Sequence, residues 1–280
     1  MEPVNLIPVR RIGFRYPPGT LKRHYAQGDL VLSHMLAVMS AVFPAGEEFF
    51  IRSVQQFSDQ ITDPNLKAAV RGFTGQEVTH GREHRLLNEH LYLMGYPVRT
   101  IERLTQRTLD LTSRYAPDRY SLALTAALEH FTATAAEQLL GNPKTREMLG
   151  ENEVRSILLW HALEETEHKA VAFDVYQTVG GTERMRIWTM RWTIFSTLVG
   201  LLVATALSML TDRAAYNPLR LLRSIATAWR FPFFTLATLE QLMAYTRTGF
   251  HPTDIDNTEL LIVWRDKLFG QDGQLADRLK

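Results

Sequence analysis

Apolar positions recur along this chain at helical spacing, and most of the prolines and glycines fall between the repeats rather than inside them. Leu30 to Met39 is mostly apolar, breaks at Phe43-Pro44-Ala45-Gly46 and resumes through Gln60. Asp63-Pro64 opens a second segment that runs to about Met94, where Gly95-Tyr96-Pro97 closes it. An aspartate cap followed by proline in the first turn marks a helix start. A third segment begins at Ala116-Pro117-Asp118 and ends at Gly141-Asn142-Pro143. A fourth spans about Glu151 to Val179, before Gly180-Gly181. Four long helices, with one longer connection between the second and third, predict an all-α four-helix bundle at residues 20–180. An arm (residues 1–19) precedes it and a further helical region (residues 181–280) follows.

After Gly181 the pattern changes. Trp192 to Thr211 is a run of twenty residues without a charge, long enough to cross a bilayer. A shorter apolar stretch, Phe231 to Leu239, follows a turn near Asn217-Pro218. Arginines flank the long run on both sides, at 184, 186 and 191 and at 213, 220, 223 and 230. Symmetric flanks set no orientation, so a span, an in-plane membrane element and a buried fifth helix all remain open. Residues 2–23 carry Arg10, Arg11, Arg15, Lys22 and Arg23 against the single acid Glu2, which reads as a solvated arm lying over the domain or as a lipid- or partner-binding strip. No apolar run precedes its prolines, so the expectation is no secretory signal and a cytoplasmic protein, with association with the inner membrane as an addition.

Composition narrows the chemistry. At 280 residues, 45% hydrophobic and 22% charged, the chain can bury a substantial core. Its 31 basic and 30 acidic residues give no overall basic footprint, which argues against nucleic acid as a partner. It has no cysteine, which removes thiolate metal sites, iron–sulfur clusters and cysteine nucleophiles. No glycine-rich phosphate loop or serine nucleophile elbow is present.

The remaining candidates are carboxylates and imidazoles on helices. Glu77-x-x-His80 and Glu165-x-x-His168 each place two donors one turn apart on one face, within reach of a shared ion. Glu129 lies in a helix with hardly any other charge, so its carboxylate must be paired, protonated or metal-bound. Glu137, on a nearby face, competes with it, and Glu47 and Glu48 are both available on the first helix. The order Glu47, Glu77-x-x-His80, Glu129, Glu165-x-x-His168 is the pattern of ferritin-like dinuclear carboxylate proteins. The separations from Glu47 to Glu77 and from Glu129 to Glu165 each fit a helix, a turn and a return. His161, one turn before Glu165, is a further ligand or a core histidine. His84, one turn after His80, and Glu164 are placed in supporting roles. Oxygen and nitrogen donors without thiolate suit two iron ions, with manganese and zinc as alternatives.

Two resemblances add to this. A third histidine on the fourth helix resembles the arylamine N-oxygenase subgroup of di-iron proteins, which implies His161 as a seventh ligand. Over residues 43–50 (FPAGEEFF), 75–84 (GQEVTHGREH), 128–133 (LEHFTA), 160–176 (WHALEETEHKAVAFDVY) and 249–252 (GFHP), the chain resembles a bacterial family of predicted metal-dependent hydrolases placed among ferritin-like folds. That resemblance implies a ferritin-like fold and metal binding, and favours Glu47, directly after the glycine, over Glu48.

Two reactions follow for such a centre. The expectation preferred from the donor set is oxygen-dependent oxidation of a small apolar or amphipathic substrate, with O2 and an electron donor as partners. The alternative is hydrolysis by a two-metal-activated water. A metal-storage or redox-scavenging bundle is a third reading.

Overall fold

The structure, a computed structural model, describes residues 7–231 and 235–280. The first six residues of the arm, Glu2 among them, and residues 232–234 of the second apolar stretch lie outside the described residues. The described chain is all-α; its one β-bridge ties Ile12 of the arm to Leu279.

Helix α1 (Leu30–Gln55) is capped by Asp29, whose carboxylate accepts from the Leu32 N–H. The break expected at Phe43–Gly46 does not occur, and α1 runs through Pro44. Proline there has no N–H to offer the Ser40 carbonyl. The Asn88 side chain supplies the missing donor, bonding that carbonyl at 3.1 Å, so the helix continues. Helix α2 (Pro64–Leu93) starts at the Asp63 cap with proline in its first turn, and Gly95, at φ +92°, follows its end. The longer connection is itself a helix, α3 (Val98–Tyr115), which packs on α1 and buries only Val98 and Leu109 fully. So thin an apolar stripe resembles a linker in hydropathy. Next come α4 (Asp118–Gly141) and the short α5 (Pro143–Leu149). The fourth expected helix is two, α6 (Glu153–His168) and α7 (Val171–Thr178), parted directly after His168.

The C-terminal region forms α8 (Glu183–Met209), α9 (Pro218–Ala228), α10 (Leu236–Ala244) and α11 (Thr258–Phe269). Helix α1 packs on α2 and α4 on α6, while α1–α4 and α2–α6 contacts close the arrangement. Outside it, α8 lies on α1 and α4, α9 on α1, α10 on α4 and α11 on α6.

The apolar core is divided in two. One cluster joins Leu32 and Leu36 of α1, Leu87 and Leu91 of α2, Leu140 of α4 and Trp160 of α6. The other joins Phe49 and Val54 of α1, Phe73 of α2, Leu122 of α4 and Phe173 of α7. Each uses opposite halves of neighbouring helices, as antiparallel packing requires. Between the two, at mid-height, lie the acidic and histidine side chains.

Candidate metal centre

Glu47 on α1, Glu77 and His80 on α2, Glu129 on α4 and His161, Glu165 and His168 on α6 all point into this middle layer, and all are buried. His168 Nε2 lies 3.1 Å from Glu77 Oε1 and 3.2 Å from Glu129 Oε2. His80 Nδ1 lies 3.8 Å from Glu77 Oε1 and 3.7 Å from Glu165 Oε1. His161 Nε2 lies 2.9 Å from Glu165 Oε1 and 3.6 Å from Glu47 Oε1. The donor atoms form adjoining groups, Glu47–His80–His161, Glu77–His80–Glu165 and Glu77–Glu129–His168, each compact enough to surround one ion.

The structure separates the competing candidates. Glu48 is exposed and pairs with Arg85. Glu137 lies outside the layer, 3.6 Å from Lys169 and bonded by Gln241 and Asn257.

Hydrogen bonds from behind assign the tautomer of every imidazole in the layer. Gln76 Nε2 donates to the Pro8 carbonyl and to Glu167, so its Oε1 accepts from His168 Nδ1–H at 2.8 Å. His80 Nε2–H donates to Glu164 at 3.0 Å. Asn88 Nδ2 donates to the Ser40 carbonyl, leaving its Oδ1 to accept from the Ser40 hydroxyl at 2.7 Å. Ser40 Oγ therefore accepts from His84 Nδ1–H at 2.9 Å, and His84 Nε2 accepts from His161 Nδ1–H at 2.8 Å. In its neutral form each of the three inner imidazoles thus turns an unprotonated nitrogen toward carboxylates, the position that either a proton or an ion would fill. Lone pair facing lone pair is repulsive unless a cation lies between them. Both oxygens of Glu47, Glu77 and Glu129, with His80 Nδ1 and His168 Nε2, are buried without a hydrogen-bond partner. Polar atoms so placed are costly as they stand, and they match the donor set a pair of divalent ions requires.

Burial, followed by repulsion from the neighbouring carboxylates, pushes Glu47 and Glu77 well above the usual carboxylate range; the same causes push Glu129 up to about 7. Burial, then neighbouring His161, holds His80 well below its ordinary value and so keeps it neutral. Against the burial penalty, His161 and His168 hold Glu165 well below the usual range. Likewise against burial, Glu129 and Glu165 raise His168.

His84 lies behind His161, and Glu164 behind His80, in the supporting places expected for them. Sequence reasoning missed Gln76, Arg10, Ser40 and Asn88. The signal for Gln76 was present: it precedes Glu77 as Glu164 precedes Glu165, and each of the two holds the histidine of the other helix. Arg10 Nη1 bonds Glu164 at 2.9 Å, and the guanidinium grips Glu167 with two bonds of 2.7 Å. From residue 7 onward the arm lies over the domain, with Arg11 and Arg15 exposed but Arg10 drawn into ion pairs and not solvated. Ile12 and Phe14 are buried, and a Cβ on Gly72 or Gly75 would collide with Ile7 or Val9. Those two glycines are what let the arm lie against α2, with Arg10 over the backs of the ligating residues.

A separate, largely buried acid–histidine group, His24, His34 and Asp212, lies elsewhere. Arg23 Nε and His24 Nε2 both lie 2.9 Å from Asp212 Oδ2, and Arg220 donates to His24 Nδ1. Arginines already supply the positive charge there.

A family model described as "predicted metal-dependent hydrolase" matches residues 8–256, taking in the arm and all seven residues of the middle layer. No curated protein and no solved structure matches the chain.

Proposed function

We propose that this chain, which belongs to the family of predicted metal-dependent hydrolases, is a hydrolase that works with two divalent ions held in the middle layer of its helices. One observation carries the reading: three buried imidazoles, fixed in their tautomers from behind, present unprotonated nitrogens to four buried carboxylates. Glu47, Glu77, His80, Glu129, His161, Glu165 and His168 would hold the ions. When bound, the ions supply Lewis acidity and lower the pKa of a water enough for attack at neutral pH. The protein's own part is positional. The Gln76, Glu164 and His84 contacts keep each imidazole correctly turned, with one ring nitrogen toward the carboxylates, and the two apolar clusters keep bulk water from the carboxylates.

The oxygen-dependent oxidation expected from the donor set has no support in the family, whose description names hydrolysis. Zinc, iron and manganese all fit oxygen and nitrogen donors, so the reading commits to two ions and not to their identity.

The test is activity in a sealed anaerobic chamber on a panel of carboxylic and phosphate esters, with protein reconstituted in zinc or manganese. Turnover without oxygen on a redox-inert metal is the expected result. Activity that appears only with iron, oxygen and a reductant would overturn hydrolysis and restore the oxidative reading. Failure to retain metal would overturn both.

A further inference from the structure

Helix α8 exposes more apolar surface than a surface helix of a soluble protein does. Its inner face, on α1 and α4, buries Met190 and Ile194 together with the hydroxyls of Thr189, Thr193, Thr205 and Ser208. Its outer face carries Trp188, Trp192, Phe195, Leu202 and Leu207, with Trp192 57% and Leu202 58% exposed. Helix α9, docked on α1 as well, exposes Leu219, Leu222, Ile225 and Trp229. An apolar exposure of this extent marks an interaction face.

Charge identifies what covers it. Residues 184–230 hold seven arginines and one acid, Asp212, in a chain whose total is +1. Asp212 is buried and already paired with Arg23, and Arg186 is buried and paired with Glu183, which leaves six exposed arginines and no exposed acid in this stretch. The face is therefore strongly cationic, while the rest of the chain is acidic on balance. A second copy seated two-fold on the same face would set these arginines against each other. An anionic lipid surface attracts them all. Arg191 lies over the Trp188 ring at 5.6 Å, an aromatic–cation pair of the kind suited to the headgroup boundary. Beside α9, a cleft of about 870 Å³ lined by Lys144, Arg220, Arg223 and Arg230, four cations against the two acids Asp29 and Glu147, offers a recess for phosphate headgroups. Because α8 is held along one side by α1 and α4, lipid cannot surround it, which points to an element lying in the membrane plane and not crossing it.

We propose that the α8–α9 face docks on the surface of an anionic phospholipid bilayer. Flotation of the full chain with vesicles tests it, using phosphatidylcholine alone and phosphatidylcholine mixed with phosphatidylglycerol. The protein is expected to float with the phosphatidylglycerol vesicles at low salt, to be released by added salt, and to stay behind with phosphatidylcholine alone. Arg184→Gln with Arg191→Gln should weaken binding about 30-fold, at roughly fivefold per arginine. Trp192→Ser with Leu202→Ser should weaken it whatever the salt. All four side chains are exposed, so an unchanged melting curve separates lost docking from lost folding. Absence of flotation on phosphatidylglycerol vesicles overturns the proposal. If the chain is then a dimer in sedimentation equilibrium that Trp192→Ser dissociates, the occupant is a second copy.

Discussion

In the middle layer of the helices, four carboxylates face three imidazole nitrogens, and among the described residues no lysine or arginine side chain bonds any of them. Around Asp212, by contrast, two histidines share a single carboxylate with Arg23, while Arg220 donates to His24. Both places are rich in histidine and acid, and both are largely buried. They differ in whether the protein supplies the balancing charge itself. Where it does, every donor is spent inside the network: Asp212 Oδ1 accepts from the Ala214 N–H, and His34 Nδ1 meets the Ser208 hydroxyl at 2.7 Å. Where it does not, both oxygens of Glu47, Glu77 and Glu129 stay unpaired and convergent, and only Glu165 finds a hydroxyl, from Thr132. Residue type alone does not make a metal site. An excess of unspent lone pairs does.

The sharpest way to break this contrast is to remove one donor from each place. Glu129→Ala is expected to abolish binding of at least one ion, read by metal analysis after gel filtration, while His24→Ala retains the full complement. Equal loss in both variants would show that the contrast means nothing for metal. For the unaltered protein, chelation should lower the melting temperature by about 5 to 10 °C, since an ion at a hundred times its Kd contributes about 2.7 kcal/mol. A melting curve indifferent to chelator would count against a structural load on the ions.

The outer layer gives the next effect in size. Arg10→Ala frees Glu164 and Glu167 of their shared guanidinium, and metal affinity should fall about 10- to 100-fold in a chelator competition. Asp212→Asn should leave metal content untouched and cost about 2 kcal/mol at neutral pH, measured by urea unfolding. Hydrogen bonds from the Ala214 N–H, His24, Arg23 and His34 overcome burial and hold the Asp212 carboxyl well below its ordinary 3.8. A depressed acid stabilises fully above its unfolded pKa and loses that contribution as pH falls through the folded one. The gap between the two proteins should therefore begin to narrow below about pH 4 and go on narrowing as pH falls toward the much lower folded value. A gap that persisted or widened there would mean that Asp212 acts through something other than its charge.

The smallest effect concerns Pro44. Asn88→Ala leaves the Ser40 carbonyl without a donor and should cost about 1 to 2 kcal/mol. In a Pro44→Ala background the helix supplies its own N–H, and the penalty should shrink. Additive costs in that double-mutant cycle would sink this account of why α1 continues.

The candidate set was legible because helices are periodic. Once Glu77-x-x-His80 and Glu165-x-x-His168 lie on helices, each pair must share a face, and the charge-poor surroundings of Glu129 demand a partner for it. The helix ends at Asp63-Pro64 and Gly95 were legible for the same local reason, since caps act within one turn. The choice of Glu47 over Glu48 came instead from the family resemblance.

What only the tertiary structure decided is whatever depends on partners far along the chain. Pro44 reads locally as a breaker, and its carbonyl is rescued by Asn88, more than forty residues away. The basic arm reads as solvated, and its Arg10 finds Glu164 and Glu167 on α6. Of the four tryptophans inside helices, 188 and 192 are exposed while 160 and 264 are buried. Periodicity states which side chains share a face, but which face meets protein is set by the neighbouring helices. The imidazole tautomers were decided in the same way. Hydrogen-bond donors brought in from other helices determine which nitrogen of each histidine is left free, and that free nitrogen is what turns a row of acidic and histidine residues into a site for ions.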